Sequence, residues 1–304
     1  MPAASFRALL RRSIDYAGMF PPCSLGLEPA LRNQGEYVRS PDTWMLGAFV
    51  LSTEQCDAIK QLLSEFDAQH PLRVAALGPK TGSTDAFLKG IGAAHAAIRS
   101  LSKHNGDLVS ISHLEMFLPH GVDVAMLKEA RSILGDLPVF WEAPPDRAEQ
   151  TIALLAKFNS DADSATFGYK LRTGGVTADA FPTSVQIAKA LVTPATSQLP
   201  IKFTAGLHHP LRQHREEVQT KMHGFLNVLG AAVLAVEHQW DINQTAMMLE
   251  DEDARSFSFA DDFFAWREWR IDIKRLQFRR RFVVSFGSCS FDEPREDLRA
   301  LNLM

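Results

Sequence analysis

A single (β/α)8 barrel of the TIM type, an α/β fold, is what this sequence predicts over residues 1–304, with 282–304 as a C-terminal extension that adds a helical segment. Three observations predict it. Strand-like and helix-like stretches alternate about seven times along the chain. The strand-like runs are nearly continuous in apolar residues, as expected of a parallel sheet covered by helices on its outside. No Pro/Ser-rich linker or charge block divides the chain, and one barrel routinely fills this length. An open doubly wound sheet is the alternative, but no GxGxxG follows any early strand.

Taken in order, residues 5–12 read as a short amphipathic helix and Ile14–Phe20 as the first strand, stopped by Pro21-Pro22. Helical spacing covers Glu28–Arg39, and Trp44–Ser52 is a strongly apolar strand. Ser52 and Gln55 have the spacing of a capping box, which predicts a helix over Glu54–Ala68. Strand Arg73–Leu77 closes on Gly78-Pro79 before helix Thr84–Lys103; strand Leu108–Phe117 precedes helix Val124–Leu134. Strand Pro138–Glu142 ends in Pro144-Pro145, and Asp146 with Glu149 predicts a second capping box on helix Arg147–Phe158. The sixth and seventh strands flank helix Phe181–Leu191, which has Pro182 in its first turn. Helices follow at Met222–Glu237 and Ile242–Leu249, then a short strand at Ser256–Ala260, a long helix at Asp262–Arg281, a brief β-like run at Phe282–Phe286 and a terminal helix. Ser256–Ala260 is taken as the eighth strand, with Phe282–Phe286 competing for the place. Phe263, Phe264, Trp266 and Trp269 fit helical spacing and are expected to pack on the barrel or on a partner subunit of a homo-oligomer.

Composition narrows the function. Apolar residues make up 46% and charged residues 22%, ordinary for a globular protein with a sizeable core, and a net charge of −4 gives no support for nucleic-acid binding. Arg279-Arg280-Arg281 reads as a basic helix end rather than a nucleic-acid patch. Three cysteines (Cys23, Cys56, Cys289) without a CxxC fit a reducing cytosol, and no apolar run is long enough to span a bilayer. The N-terminus lacks the apolar core of a signal peptide, so the expectation is a cytoplasmic protein with no membrane partner.

The chemistry concentrates on two strands. In the first, Thr166, Gly168, Lys170 and Arg172 share one face while Phe167, Tyr169 and Leu171 share the other. In the second, Lys202, Thr204, Gly206 and His208 share one face, opposite Ile201, Phe203, Ala205 and Leu207. Apolar residues therefore go outward and cations inward, and a lysine buried without a partner is costly enough to suggest a site. At the carboxyl ends of the other strands stand His113, Glu115 and Glu142. A lysine desolvated beside another cation loses its proton more readily and attacks carbonyls to give a Schiff base. On that reading Lys170 is the nucleophile, Lys202 lowers its pKa, and Glu115 or Glu142 is the general acid/base. Arg172, Thr173, Gly174, Gly175, Thr204, His208, His209 and His113 are the candidate substrate contacts, for a small anionic metabolite.

The spacing Lys170-x-x-Thr173-Gly174, followed one βα unit later by Lys202-x-x-Ala205-Gly206, resembles the deoxyribose-phosphate aldolase family of class I aldolase barrels. The resemblance covers Ala165–Gly206. It implies that Lys170 is the Schiff-base lysine and Lys202 its activator, and that an acid comes from the fourth strand. Asp107 in Gly106-Asp107-Leu108-Val109 is the match for that acid, with Glu115 competing. Arg172, Ala205 and the run Leu207-His208-His209-Pro210 depart from the family's pattern.

Other readings of the same residues remain. His113, Glu115, Glu142 and His208 offer nitrogen and carboxylate ligands for a divalent metal in a hydrolase or lyase, whereas the aldolase reading needs no cofactor. A barrel that binds ligand without turnover is a third. Gly174-Gly175 either approaches an anion with backbone N–H groups or makes a tight βα turn. The run Ser285–Ser290 lines the pocket only if Phe282–Phe286 is the eighth strand. Cys289 has no base beside it in sequence, which speaks against a thiol nucleophile, and Asp15 reads as a helix cap, a salt-bridge partner or a further carboxylate of the site.

Overall fold

A computed structural model describes residues 2–161, 166–193 and 199–304; Ala165, where the aldolase-like stretch begins, lies outside them. Seven strands arrive in sequence: β1 (Ile14–Tyr16), β2 (Leu46–Ser52), β3 (Leu72–Leu77), β4 (Val109–Phe117), β5 (Val139–Ala143), β6 (Phe167–Arg172) and β7 (Ile201–Thr204). A hairpin of β8 (Gln213–Arg215) and β9 (Thr220–Met222) follows, then a three-stranded antiparallel sheet of β10 (Phe257–Phe259), β11 (Phe263–Trp266) and β12 (Trp269–Asp272). The last strand, β13 (Val283–Ser288), pairs in parallel with both β1 and β7 and closes an eight-stranded barrel.

The eighth barrel strand is thus the Phe282 run and not Ser256–Ala260. Residues 282–304 are no extension, because they supply both the closing strand and helix α10 defined below. Both candidates are short and apolar, so composition does not separate them; pairing does. Phe286 lies opposite Ile14 on one side and Phe203 on the other, whereas Phe257–Phe259 pairs only with β11 outside the barrel.

Ten helices clad the sheet among the described residues: α1 (Ala4–Leu10), α2 (Leu27–Tyr37), α3 (Thr84–His104), α4 (Val124–Leu134), α5 (Ala148–Ser160), α6 (Ser184–Val192), α7 (Phe225–His238), α8 (Ile242–Leu249), α9 (Ile273–Arg279) and α10 (Asp292–Ala300). None is long and apolar enough to cross a membrane. Where the chain supplies an oxygen at the N-cap, the helix starts there: Ser83, Asp123, Thr183 and Asp241 each accept from a backbone N–H in the first turn. Thr183 and Gln186 form the one reciprocal capping box seen at these starts, so α6 begins after Pro182 rather than around it.

The two boxes expected from sequence do not form. Glu54–Ala68 is three 3-10 turns (Thr53–Gln55, Ala58–Gln61, Leu63–Glu65) with no side-chain cap at Ser52. Its apolar residues Cys56, Ile59, Leu63 and Phe66 are buried all the same. Pro145–Arg147 likewise takes a 3-10 turn, leaving α5 to start at Ala148 without a cap from Asp146. The long helix Asp262–Arg281 is instead β11, a tight turn with Arg267 at φ 51°, β12 and the short α9. Trp266 pairs with Trp269 across that turn, and Phe264 and Trp266 are fully buried against this chain's own core.

Outward-facing residues of the barrel make the helix–sheet core. Phe167 on β6 stacks on Phe158 of α5 at 4.5 Å and meets Trp141 of β5 edge-on at 5.3 Å. One buried amide ties the β7–α7 side together. Asn227 of α7 donates from Nδ2 to the carbonyls of Met248 (2.7 Å) and Asp251 (2.8 Å), and its Oδ1 accepts from the Arg212 N–H (3.0 Å). Replacing it by leucine removes the amide partner of two buried carbonyls and one part-buried N–H. Asn227→Leu is therefore expected to lower stability by about 2–4 kcal/mol, read from the guanidinium unfolding midpoint; an unchanged midpoint would contradict this role.

Candidate active site

A cavity of about 540 Å³ opens at the carboxyl ends of the barrel strands. Strand register builds its floor. Glu142 on β5 lies opposite Lys170 on β6, and Lys170 lies opposite Lys202 on β7, so all three side chains project to the same, inward face. Glu115 reaches the same layer from β4 and Asp15 from β1. Both lysines line the cavity, as expected from the alternation.

The charges interlock. Lys170 Nζ lies 2.7 Å from Glu115 Oε2 and 2.8 Å from Glu142 Oε2. Lys202 Nζ donates to the other Glu115 oxygen, to Asp15 Oδ2 (2.8 Å) and to His113 Nε2 (2.9 Å). Asp15 is fixed in turn by Ser285 Oγ at 2.6 Å and by the Ala48 N–H at 2.8 Å. Gly47 is glycine for this reason: a Cβ there would stand 2.2 Å from Asp15 Oδ1. Lys202, Glu115, His113 and Asp15 are all buried.

Protonation follows from this packing. Burial alone would raise the Glu115 carboxyl, but Lys170 and Lys202 outweigh it and hold it well below the usual carboxylate range. Glu142 is held low by the same contest, chiefly through Lys170. Burial would lower Lys170, yet Glu115 and Glu142 together raise it above an ordinary lysine. The expectation that Lys202 depresses Lys170 is therefore not met in this resting arrangement, because each ammonium is matched to carboxylates rather than to the other. His113 is lowered by burial and then by Lys202, so the ring is neutral. Its Nε2 lies between Lys202 Nζ at 2.9 Å and Glu115 Oε1 at 3.0 Å, and its Nδ1 faces Ser112 Oγ at 3.0 Å.

The remaining candidates divide. Thr204, Gly175 and His208 line the cavity, and Arg172 stands half-exposed at its rim, 3.4 Å from Glu142. Thr173 is fully buried and braces the β6 and β7 ends, its hydroxyl donating to the carbonyls of Thr204 (3.1 Å) and Ala205 (2.7 Å). Gly174 serves close packing, since a Cβ would meet the Phe181 ring at 2.5 Å and Gly206 Cα at 2.9 Å. His209 turns away to Asp297 at 2.6 Å. Asp107 precedes β4 at the amino end of the barrel, opposite the cavity, so Glu115 is the fourth-strand acid.

Two side chains carry more weight here than the sequence gives them. Asp15 sits on a strand of three residues, too short to show periodicity, and Ser285 depends on which segment closes the barrel. The metal reading also changes: among the described residues, the grouping with ligand atoms within 4.8 Å of one another is Asp15, His113 and Glu115. Glu142 and His208 are not part of it, and the Lys202 ammonium already bonds all three members. At the rim, Cys289 Sγ lies 2.8 Å from Cys23 Sγ and 3.8 Å from His208 Nδ1. A base is thus nearby in space, but burial pushes the Cys289 thiol up to about 12, which keeps it protonated.

No protein-family model matches the chain, and no curated protein is significantly similar to it. The chain is a closed eight-stranded parallel barrel of the TIM type, a fold that commonly carries enzymes, with a buried Asp/His/Glu group.

Two outcomes test the charge layer. Lys202→Met leaves Asp15 and Glu115 buried against each other and is expected to cost about 3–5 kcal/mol. Adding Asp15→Asn should recover part of that loss in a double-mutant cycle; strict additivity would show that the pair does not interact. In pH, folded Glu115 and Glu142 titrate below their unfolded values and His113 below 6.5. Their contributions are present at neutral pH and fade as pH falls, first through the histidine range and then the carboxylate range. Unfolding midpoints should therefore rise from pH 4 to about pH 7, and a maximum near pH 5 would contradict this assignment.

Proposed function

We propose that this barrel is an enzyme of carbonyl chemistry, an aldolase-like lyase that forms a Schiff base at Lys170 with a small anionic metabolite. The observation that carries the reading is the position of Lys170 Nζ on the cavity floor, between Glu115 Oε2 at 2.7 Å and Glu142 Oε2 at 2.8 Å.

The raised pKa of Lys170 keeps the resting amine protonated, so the proposed reaction needs a proton acceptor beside it. An amine attacks a carbonyl only after losing its proton, and Glu142, which also lines the cavity, is the adjacent acceptor. The Lys170 nitrogen then bonds to the carbonyl carbon, the carbonyl oxygen takes up protons and leaves as water, and a protonated imine remains. That imine carries the same single positive charge as the ammonium it replaces. Glu115 and Glu142 stabilise both, so the field that makes deprotonation costly is recovered at the intermediate. Cleavage of the bond one carbon removed sends its electron pair into the imine, giving an enamine. Glu142 takes the hydroxyl proton released in that cleavage and returns it to the enamine carbon. Lys202 holds Glu115 from below, and Arg172 and His208 meet the substrate's anionic group at the rim.

Borohydride reduction in the presence of a panel of aldehydes and 2-keto acids tests this directly. The expected result is a stable mass increment on the Lys170 peptide that is absent from Lys170→Met. Trapping should increase from pH 6 to pH 9, because a raised lysine pKa leaves less free amine at the lower pH. No increment on Lys170 with any member of the panel, or labelling confined to surface lysines, would refute the Schiff base.

A further inference from the structure

The opposite end of the barrel carries a second cavity, of about 870 Å³, at the amino ends of the strands. Arg7, Arg11, Arg12 and Arg73 line it, and no aspartate or glutamate does. Arg12 stands two residues before β1 and holds a left-handed backbone at φ 51°, while Arg73 is the second residue of β3. None of the four guanidinium groups forms an ion pair among the described residues: Arg7 lies over the Trp44 ring at 4.6 Å, and Arg73 donates to Ser112 Oγ at 3.0 Å. His70, also in the lining, is taken by Asp67 at 3.2 Å.

Arginines near a helix end often serve its carbonyls, and Arg11 and Arg12 follow α1. That duty is already filled. Arg280 donates to the carbonyls of Leu9 at 2.7 Å and Arg11 at 3.0 Å. Four like charges gathered around one concavity with no acid between them repel, and burial together with Arg12 lowers the Arg73 guanidinium from its usual value. Such an arrangement gains most from an anion that several planar forks can share.

We propose that the amino-end cavity is a binding site for a compact polyanion of the phosphate class, separate from the carbonyl cavity. Its oxygens bridge the partly buried Arg73 and the exposed Arg12, with the exposed Arg7 and Arg11 beside them. The site also touches the charge layer above. Arg73 donates to Ser112 Oγ, which lies 3.0 Å from His113 Nδ1, and His113 Nε2 meets Lys202 Nζ at 2.9 Å. Arg73 thus sits three hydrogen bonds from the lysine that holds Glu115.

Inorganic pyrophosphate titrated into the purified protein by isothermal calorimetry is the test. The expected result is one saturable site that Arg12→Gln and Arg73→Gln each weaken about tenfold or more. Arg7→Gln and Arg11→Gln, at exposed positions, keep the test valid if Arg73→Gln fails to fold, and each should weaken binding as well. Lys80→Gln and Arg172→Gln, which remove cations from the other cavity, should leave the affinity unchanged. No saturable heat, an affinity indifferent to all four amino-end substitutions, or a loss caused by Lys80→Gln or Arg172→Gln would overturn the proposal.

Discussion

Glu115 is shared by two ammonium groups, one on each carboxylate oxygen, and the interior of the barrel is arranged around that constraint. A carboxylate without water must be matched by nearby positive charge, and each lysine so recruited needs its own compensation. Lys170 finds it in Glu142 and Lys202 finds it in Asp15, so the five charges form a chain in which every member has an opposite neighbour. His113 completes the chain in neutral form, its Nε2 set between Lys202 and Glu115 where a charged ring would add repulsion to the ammonium. Removing any link leaves a buried charge unmatched, which is why the layer behaves as a unit.

Parallel register is what makes the chain possible. Glu142, Lys170 and Lys202 are consecutive partners on three adjacent strands, so their side chains stand side by side without any loop having to place them. Glu115 and Asp15 complete the layer from β4 and β1. The loops carry the adjustable part: Thr173 and the glycine contact between Gly174 and Gly206 lock the β6 and β7 ends, leaving Arg172 and His208 at the rim. The Lys202 ammonium lies among Asp15, His113 and Glu115 as a metal ion would, and supplies one positive charge to oxygens and a nitrogen that a divalent ion would otherwise hold. A metal at this point has to displace it.

Much of this was legible in the sequence because alternation along a strand survives without knowledge of the partners. Lys170 and Lys202 could be assigned inward from their apolar neighbours alone. Asp15 was harder, since three residues give no period, and its meaning comes from Ser285 and Lys202 far along the chain. The identity of the closing strand was open for a related reason: Phe257–Phe259 and Val283–Ser288 have similar composition, and only pairing partners distinguish them. Capping spacing misled at Ser52 and Asp146, where neither side chain caps and the chain takes 3-10 turns instead. Aromatic spacing misled at Phe263–Trp269, which suits a tight hairpin as well as a helix. The pKa of Lys170 could not be read from sequence, because it depends on which of its neighbours, cation or carboxylate, lies closer in space.

The positive charge of Lys170, held between Glu115 and Glu142, is the point on which the interior charge layer turns, and its titration measures it. Side-chain nitrogen and carbon resonances of Lys170, followed by NMR against Lys170→Arg for assignment, should show a midpoint above the ordinary lysine value of 10.5. Glu142→Gln should bring that midpoint down. A midpoint at or below the ordinary value in the wild-type protein would contradict a charge held between two carboxylates.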